Sequence, residues 1–353
     1  MSAHPINETP VPALRAMLDE QLDTRELSRV LGLDDQAALL LARRVLQPPL
    51  ADMLARPGKE VRARLVEHSF AVARAVAPCT CARLPEEVPL LVEMLHAGSL
   101  VVDDIEDEAV SRRGAPALHR TWGIPIALNA GNWLYFWPFL VLGSLPLDRG
   151  TSLAMHRRMS TTMVRCHQGQ ALDLAVRIHD LSQHEVATAV DATTRLKTGA
   201  LMELSCTLGA IAAHAAPPTE RALATFGREI GVALQMFDDL GCVLSPARRG
   251  KAEEDLVAAR PTWPWAWLAR SLDETTFKSL QRQASIAHAT GRTDALLESL
   301  RMHCDSFRRK PREHLSAAIA GLRNSIGDHA PHAVAALITS LERDVRMLEH
   351  AYA

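Results

Sequence analysis

The chain has 353 residues, of which 48% are hydrophobic and 23% charged, with a formal net charge of -2 at pH 7. That composition is ample for a large core and excludes bulk electrostatic attraction to nucleic acid or to an anionic membrane, so neither is expected as a partner. The six cysteines (Cys79, Cys81, Cys166, Cys206, Cys242 and Cys304) are scattered, and the close pair Cys79 and Cys81 has a spacing that suits neither a zinc knuckle nor a redox site. Free thiols in a reducing cytoplasm are expected.

In chain order, the start "MSAHPINETPVPALRAMLDE" has neither a basic nor an apolar leader region, and residues 1–12 are read as a flexible terminus. Next come "RARLVEHSFAVARAVA" and "EVPLLVEMLHAGSLVVDDIED", whose apolar residues recur at spacings of three and four and predict helices. "LAMHRRMSTTMVRCHQGQALDLAV" and "ERALATFGREIGVALQMFDDL" follow the same pattern, rich in the strong helix formers Ala and Leu. Breaks are expected at 216–220, 244–255 and 260–265, where Pro and Gly interrupt the periodicity. Runs of alternating polarity are absent, so no strands are expected. No apolar run reaches the roughly 18 residues of a membrane span. The reading is all-α, a single-domain helical bundle over residues 13–353 around a central cavity.

The segment "LHAGSLVVDDIEDEAVSRRG" places four acids in residues 103–107, after an apolar stretch and before a basic one. On a helix Asp103 and Asp107 project from one face, with Asp104 about 100° round. Like charges on one stripe cost about a few tenths of a kcal/mol per exposed pair, so a cation is expected between them. Oxygen-only ligands point to a hard divalent ion, and magnesium is commonly held by a few carboxylates plus substrate phosphates. The alternative is an exposed acidic helix end. A second acidic pair, Asp238 and Asp239, ends another apolar helix, and Gln170, Asp173, Lys197 and Thr198 are further polar groups in apolar settings. Lys59, Arg62, Arg112 and Arg113 supply basic partners. Carboxylates with metal on one wall and Lys or Arg on another form a site for diphosphates.

With these motifs in order ("GKEVR", "LHAGSLVVDDIEDEAVSRRGAPALHRTWG", "NAGNWLYF", "HQGQALDL", "LKTGALMEL", "LQMFDDLGC", "DLVAARPTWP"), the chain resembles the trans-isoprenyl diphosphate synthases. The closest resemblance is to the eukaryotic-type geranylgeranyl diphosphate synthases, and it is best over residues 58–264. The resemblance implies a magnesium-dependent prenyltransferase that condenses isopentenyl diphosphate with an allylic diphosphate, uses three magnesium ions and forms a homodimer. Asp103 and Asp107 would ligate two ions, with Asp104 in support, and Asp238 a third whose waters Asp239 holds. Gln170 and Asp173 would support the metals, and Arg112 would contact the allylic diphosphate. Lys59, Arg62, His96 and Arg113 would bind isopentenyl diphosphate, although taken alone His96 reads as a core histidine. Lys197, Thr198 and Gln235 would flank the developing allyl cation.

Gly98 and Ser99, about one turn before Asp103, are small where the family's short-chain enzymes carry aromatics. The expected product is therefore geranylgeranyl diphosphate or longer, with a floor from Leu91, Leu95, Tyr135 or Phe136. Cys242 departs from the family's Asp or Asn, and Arg260 stands where a lysine is usual, retaining its charge. A terpene cyclase on the same fold and a non-catalytic partner subunit remain as alternatives.

Overall fold

The computed structural model describes residues 10–58, 60–79 and 82–349. Lys59, Cys81 and most of the expected flexible terminus lie outside them. The described residues fall into two compact units, one comprising those up to Ala63 with Pro85–Pro146, the other Arg64–Leu84 with Leu147 onward. Both are helical, as the periodicity predicts.

The first unit contains α1 (Pro10–Gln21), α2 (Thr24–Leu31), α3 (Gln36–Ala55), the start of α4 (Val61–Val76), α5 (Val88–Glu106), α6 (Leu118–Trp122) and α7 (Ile124–Ser144). Asp35 caps α3 by accepting from the Ala38 amide, and α2 ends at Gly32 with φ 64°. The core is the packing of α5 on α7, and it depends on two glycines. A Cβ at Gly98 would stand 2.9 Å from the Gly131 carbonyl oxygen, and one at Gly131 3.1 Å from Val101. Backbones can approach this closely only where neither residue carries a side chain.

The second unit holds the rest of α4, then α8 (Arg149–Ala175), α9 (Gln183–Thr194), α10 (Ala200–Ala212), α11 (Pro217–Leu244), α12 (Arg249–Val257), α13 (Trp263–Ser271), α14 (Glu274–Thr290), α15 (Asp294–Cys304), α16 (Lys310–Ile326) and α17 (Pro331–Glu349). A capping box between Ser182 and Glu185 opens α9, and Asp148 opens α8. Trp263, Trp265 and Trp267 are buried in a core shared with Phe277 and Phe307, Trp265 meeting the edge of Phe277 at 6.1 Å between centroids.

Three local features differ from the sequence expectation. The break expected at 244–255 contains α12, which an Arg249–Glu253 pair at i,i+4 supports across 2.6 Å. A two-residue hairpin, β1 (Ser111–Arg112) and β2 (Ala115–Pro116), follows α5. Between α9 and α10 lies one turn of π-helix, Arg195–Gly199. No helix among the described residues is long and apolar enough to cross a membrane.

Candidate active site

In the first unit, α5 carries His96, Asp103 and Asp104, and its C-cap is Asp107, whose amide donates to the Asp103 carbonyl. Asp103 and Asp107 are one turn apart and half-buried. Asp104 is buried and turned away from them towards Arg112, whose Nε donates to Asp104 Oδ1 over 2.7 Å. Burial raises the Asp104 carboxyl above its ordinary range, with the Arg112 guanidinium opposing. The Arg112 Nη2 also stands 3.8 Å from Asp103.

The hairpin places the arginines. Arg113 has φ 53° and Gly114 φ 81°, both left-handed, which matches the tight turns that let two strands close with their natural twist. That turn sends Arg112 back over α5 and Arg113 towards Gly58, where a Cβ would come within 3.3 Å of the guanidinium. Arg56, which sequence reasoning missed, is 6% exposed and fixes the hairpin by donating to the Arg112 carbonyl over 3.2 Å while pairing with Asp52. Glu93, also missed, caps the start of α4 by accepting from the Ala63 amide over 3.2 Å. His96 is held well below its ordinary range by burial, then by Arg62, Arg113 and Arg112, and is therefore a neutral hydrogen-bonding group among cations. Arg62, Arg112 and Arg113 thus concentrate positive potential around the neutral His96 ring, an arrangement that suits a polyanion.

Among the described residues no three His, Cys, Asp or Glu side chains converge closely enough to hold a metal ion by themselves. The donors available at Asp103 and Asp107 are carboxylate oxygens alone, a set that fits magnesium, which completes its shell with water and substrate phosphate. The chemistry of the donors therefore fits the metal that the resemblance implies.

In the second unit, α8 supplies Gln170 and Asp173, the π turn Lys197 and Thr198, and α11 Gln235, Asp238 and Asp239. Lys197 Nζ pairs with Asp173 Oδ2 at 2.7 Å, and Arg260 Nε lies 3.9 Å from the same oxygen. Thr198 Oγ1 donates to Gln235 Oε1 over 2.8 Å, and Gln235 Nε2 donates to Asp239 Oδ1 over 2.7 Å. Asp239 Oδ2 accepts from the Trp263 amide over 3.0 Å. The Trp263 indole then donates to Thr194 Oγ1 over 3.1 Å, returning the chain of bonds to the turn before Thr198. Burial pushes the Asp239 carboxyl up to about 7.

Asp238 is bracketed by Lys251 at 2.6 Å and Arg248 at 2.7 Å, and these cations hold its carboxyl below the ordinary range against burial. Both cations come from the segment expected to be a break, and the "RRGK" run was the signal for them. Cys242 is 3% exposed within the core, and burial pushes its thiol up to about 12.

The expected lining of a cavity is only partly matched. Gly98 faces α7, and its smallness serves the helix crossing. Ser99 is half-buried and donates to the His96 carbonyl over 2.8 Å. Leu91 and Leu95 are buried, Tyr135 is half-buried, and Phe136 is 70% exposed on the outer face of α7.

Residues 43–297 match the family model for polyprenyl synthetase. A geranylgeranyl pyrophosphate synthase from Clitopilus passeckerianus is 32% identical over 194 residues, 51% of this chain and 53% of the relative. A probable farnesyl diphosphate synthase from Bradyrhizobium diazoefficiens is 33% identical over 58% of this chain and 62% of the relative. The matched part thus spans between about half and two thirds of those relatives' own length, and fungal and bacterial relatives stand at similar identity. The solved structure of geranylgeranyl pyrophosphate synthase from Corynebacterium glutamicum, complexed with isoprenyl diphosphate and magnesium, has the same fold, with a TM-score of 0.73 at 20% identity over 96% of this chain and all of that one. A geranylgeranyl pyrophosphate synthase from Lactobacillus brevis superposes with a TM-score of 0.70 at 21% identity over 94% of this chain and 96% of that one. Shared fold and a family model that covers well over half of the residues agree with the order of the acidic and basic motifs, and this chain belongs to the polyprenyl synthetase family.

Proposed function

We propose that the protein is a magnesium-dependent prenyltransferase that joins isopentenyl diphosphate to an allylic diphosphate, giving an all-trans product of geranylgeranyl length or longer. The observation that carries this reading is the division of charge along α5 and its hairpin. Half-exposed carboxylates at Asp103 and Asp107 end α5, and two turns before Asp103 the same helix carries His96, which feels the charges of Arg62, Arg113 and Arg112. A metal-bound diphosphate at the acids and a second diphosphate at the cations would meet with their charges matched.

Asp103 and Asp107 would hold two magnesium ions and Asp238 a third. Bound magnesium would neutralise the diphosphate leaving group. Arg112 keeps Asp104 paired and presents its remaining donors to the allylic diphosphate. Arg62, His96 and Arg113, with Lys59, orient isopentenyl diphosphate, and holding two anions within reach is the part of the reaction that solution does poorly. Lys197, Thr198 and Gln235 flank the carbon that becomes cationic; the bonds of Lys197 to Asp173, Thr198 to Gln235 and Gln235 to Asp239 fix these groups before charge develops, which costs no reorganisation later. An exposed apolar stripe on α7 supports a homodimer, and the buried thiols of Cys206, Cys242 and Cys304 fit a reducing cytoplasm.

The test is to incubate the purified protein with magnesium, isopentenyl diphosphate and each of the dimethylallyl, geranyl and farnesyl diphosphates, and to identify the products. Elongated diphosphates support the reading. Hydrocarbons or alcohols from a single allylic substrate indicate a terpene cyclase, and turnover only with a second protein indicates a partner subunit. Asp103→Ala or Asp107→Ala should lower turnover by roughly a thousandfold with helical circular dichroism unchanged, the loss expected from several kcal/mol of transition-state stabilisation. Full activity in either variant would sink the metal assignment.

A further inference from the structure

Lys197 and Thr198 stand on the π turn Arg195–Gly199. A π turn is an unfavourable insertion in an α-helix and persists where its surroundings hold it. One side of this turn is wedged between two helices at glycines. A Cβ at Gly169 of α8 would lie 2.8 Å from Leu196 Cβ, and one at Gly231 of α11 would lie 2.8 Å from the Gly199 Cα and 3.0 Å from the Thr198 carbonyl oxygen.

The other side is held by charge. Arg195 forks onto Glu229 of α11, Nη1 to Oε1 at 2.6 Å and Nη2 to Oε2 at 3.1 Å. Its Nε donates to Asp191 one turn earlier, at 2.9 Å from each carboxylate oxygen. His314 of α16 completes the cluster, with Nε2 3.1 Å from Glu229 Oε2. A carboxylate can only accept, so Nε2 carries the hydrogen. The bond from His314, then that from Arg195, keeps the Glu229 carboxyl well below its usual range although burial works against it. Bidentate, charge-assisted bonds between partly buried groups are the strong class of polar contact.

We propose that Arg195, Glu229 and His314 are positioning residues that pin the outer edge of the π turn and so fix the direction in which Lys197 and Thr198 project. The inference rests on the prenyl transfer reading and extends it in one respect. His314 lies beyond the residues that match the family model, 43–297, so the C-terminal segment takes part in aiming the reaction. Loosening the clamp lets the turn relax towards α-helical register, which re-aims the residues it carries. A misplacement of about 1 Å at a reacting centre costs roughly a hundredfold in rate.

The test compares the natural protein with Glu229→Gln, His314→Ala and His314→Gln, measuring backbone hydrogen exchange over residues 192–200 together with steady-state kinetics. In Glu229→Gln and His314→Ala, exchange within 195–199 should rise roughly tenfold relative to α10. Their kcat should fall roughly ten- to a hundredfold with KM for both diphosphates within about twofold, and the share of product captured by water as alcohol should increase. His314→Gln keeps a donor and should recover most of both properties. A merely structural role would reduce thermal stability without moving kcat against KM or the alcohol share. Unchanged exchange in the turn overturns the proposal, as does unchanged kcat in a variant whose turn has loosened. If the natural protein elongates no allylic diphosphate, the prenyl transfer reading falls instead, and the exchange measurement still decides whether the clamp holds the turn.

Discussion

Asp103 and Asp104 are neighbours in sequence and differ in circumstance: the side chain of Asp103 is 27% exposed, that of Asp104 2% and bound to Arg112. The difference follows from helical rotation, which turns adjacent residues to different faces. The cysteines make a similar point about environment. Burial pushes the thiols of Cys206, Cys242 and Cys304 up to about 12 each, so at neutral pH almost none of each is the reactive thiolate. Cys79 and Cys166 are partly exposed. With a thiol reagent at pH 8, peptide mapping should find Cys206, Cys242 and Cys304 unlabelled in the native protein and labelled after denaturation. Rapid native labelling of Cys242 would contradict its place in the core. The acidic motifs were legible because their spacing is local to one helix. Arg56, Glu93, Arg248 and Lys251 were not, because each acquires its role from a partner fixed by tertiary packing: Arg56 meets the Arg112 carbonyl and Glu93 the Ala63 amide.

At the scale of elements, helices were legible from periodicity and the π turn was not. Residues 195–199 sit in a run that any helical pattern would accept, and the turn packs closely against Gly169 and Gly231, where a side chain would not fit. The clamp between α11 and α16 also ties stability to pH. Because the Glu229 carboxyl is lowered in the folded protein, its contribution is present above its ordinary value of 4.5 and is lost as pH falls through the folded value. The natural protein should be more stable than Glu229→Gln by on the order of 2 kcal/mol at pH 7, an advantage that shrinks steadily below pH 4.5. Thermal melts of both proteins from pH 7 to pH 3 would check this, and a constant difference would refute it.

At the scale of the whole molecule, the two acidic motifs belong to different compact units, and each unit orders its own motif with its own core. The outer face of α7 carries Ile124, Leu128, Phe136 and Leu140 at spacings that align on one side, between 38% and 70% exposed. If that stripe is the subunit interface, sedimentation of the natural protein should give twice the chain mass, and Phe136→Asp combined with Leu140→Asp should give the single chain; a dimeric double variant would place the interface elsewhere. The same helix is locked backbone to backbone against α5 at Gly98 and Gly131. No side chain can be added at residue 98 without displacing α7, and α7 is the helix that bears the stripe. Evolution at that position is thereby constrained in pairs: a bulkier residue 98 needs an accommodating change on α7, and any shift of α7 is felt on its outer face. If the stripe is the subunit interface, a bulkier residue 98 would be felt in how copies of the chain associate as well as in the core.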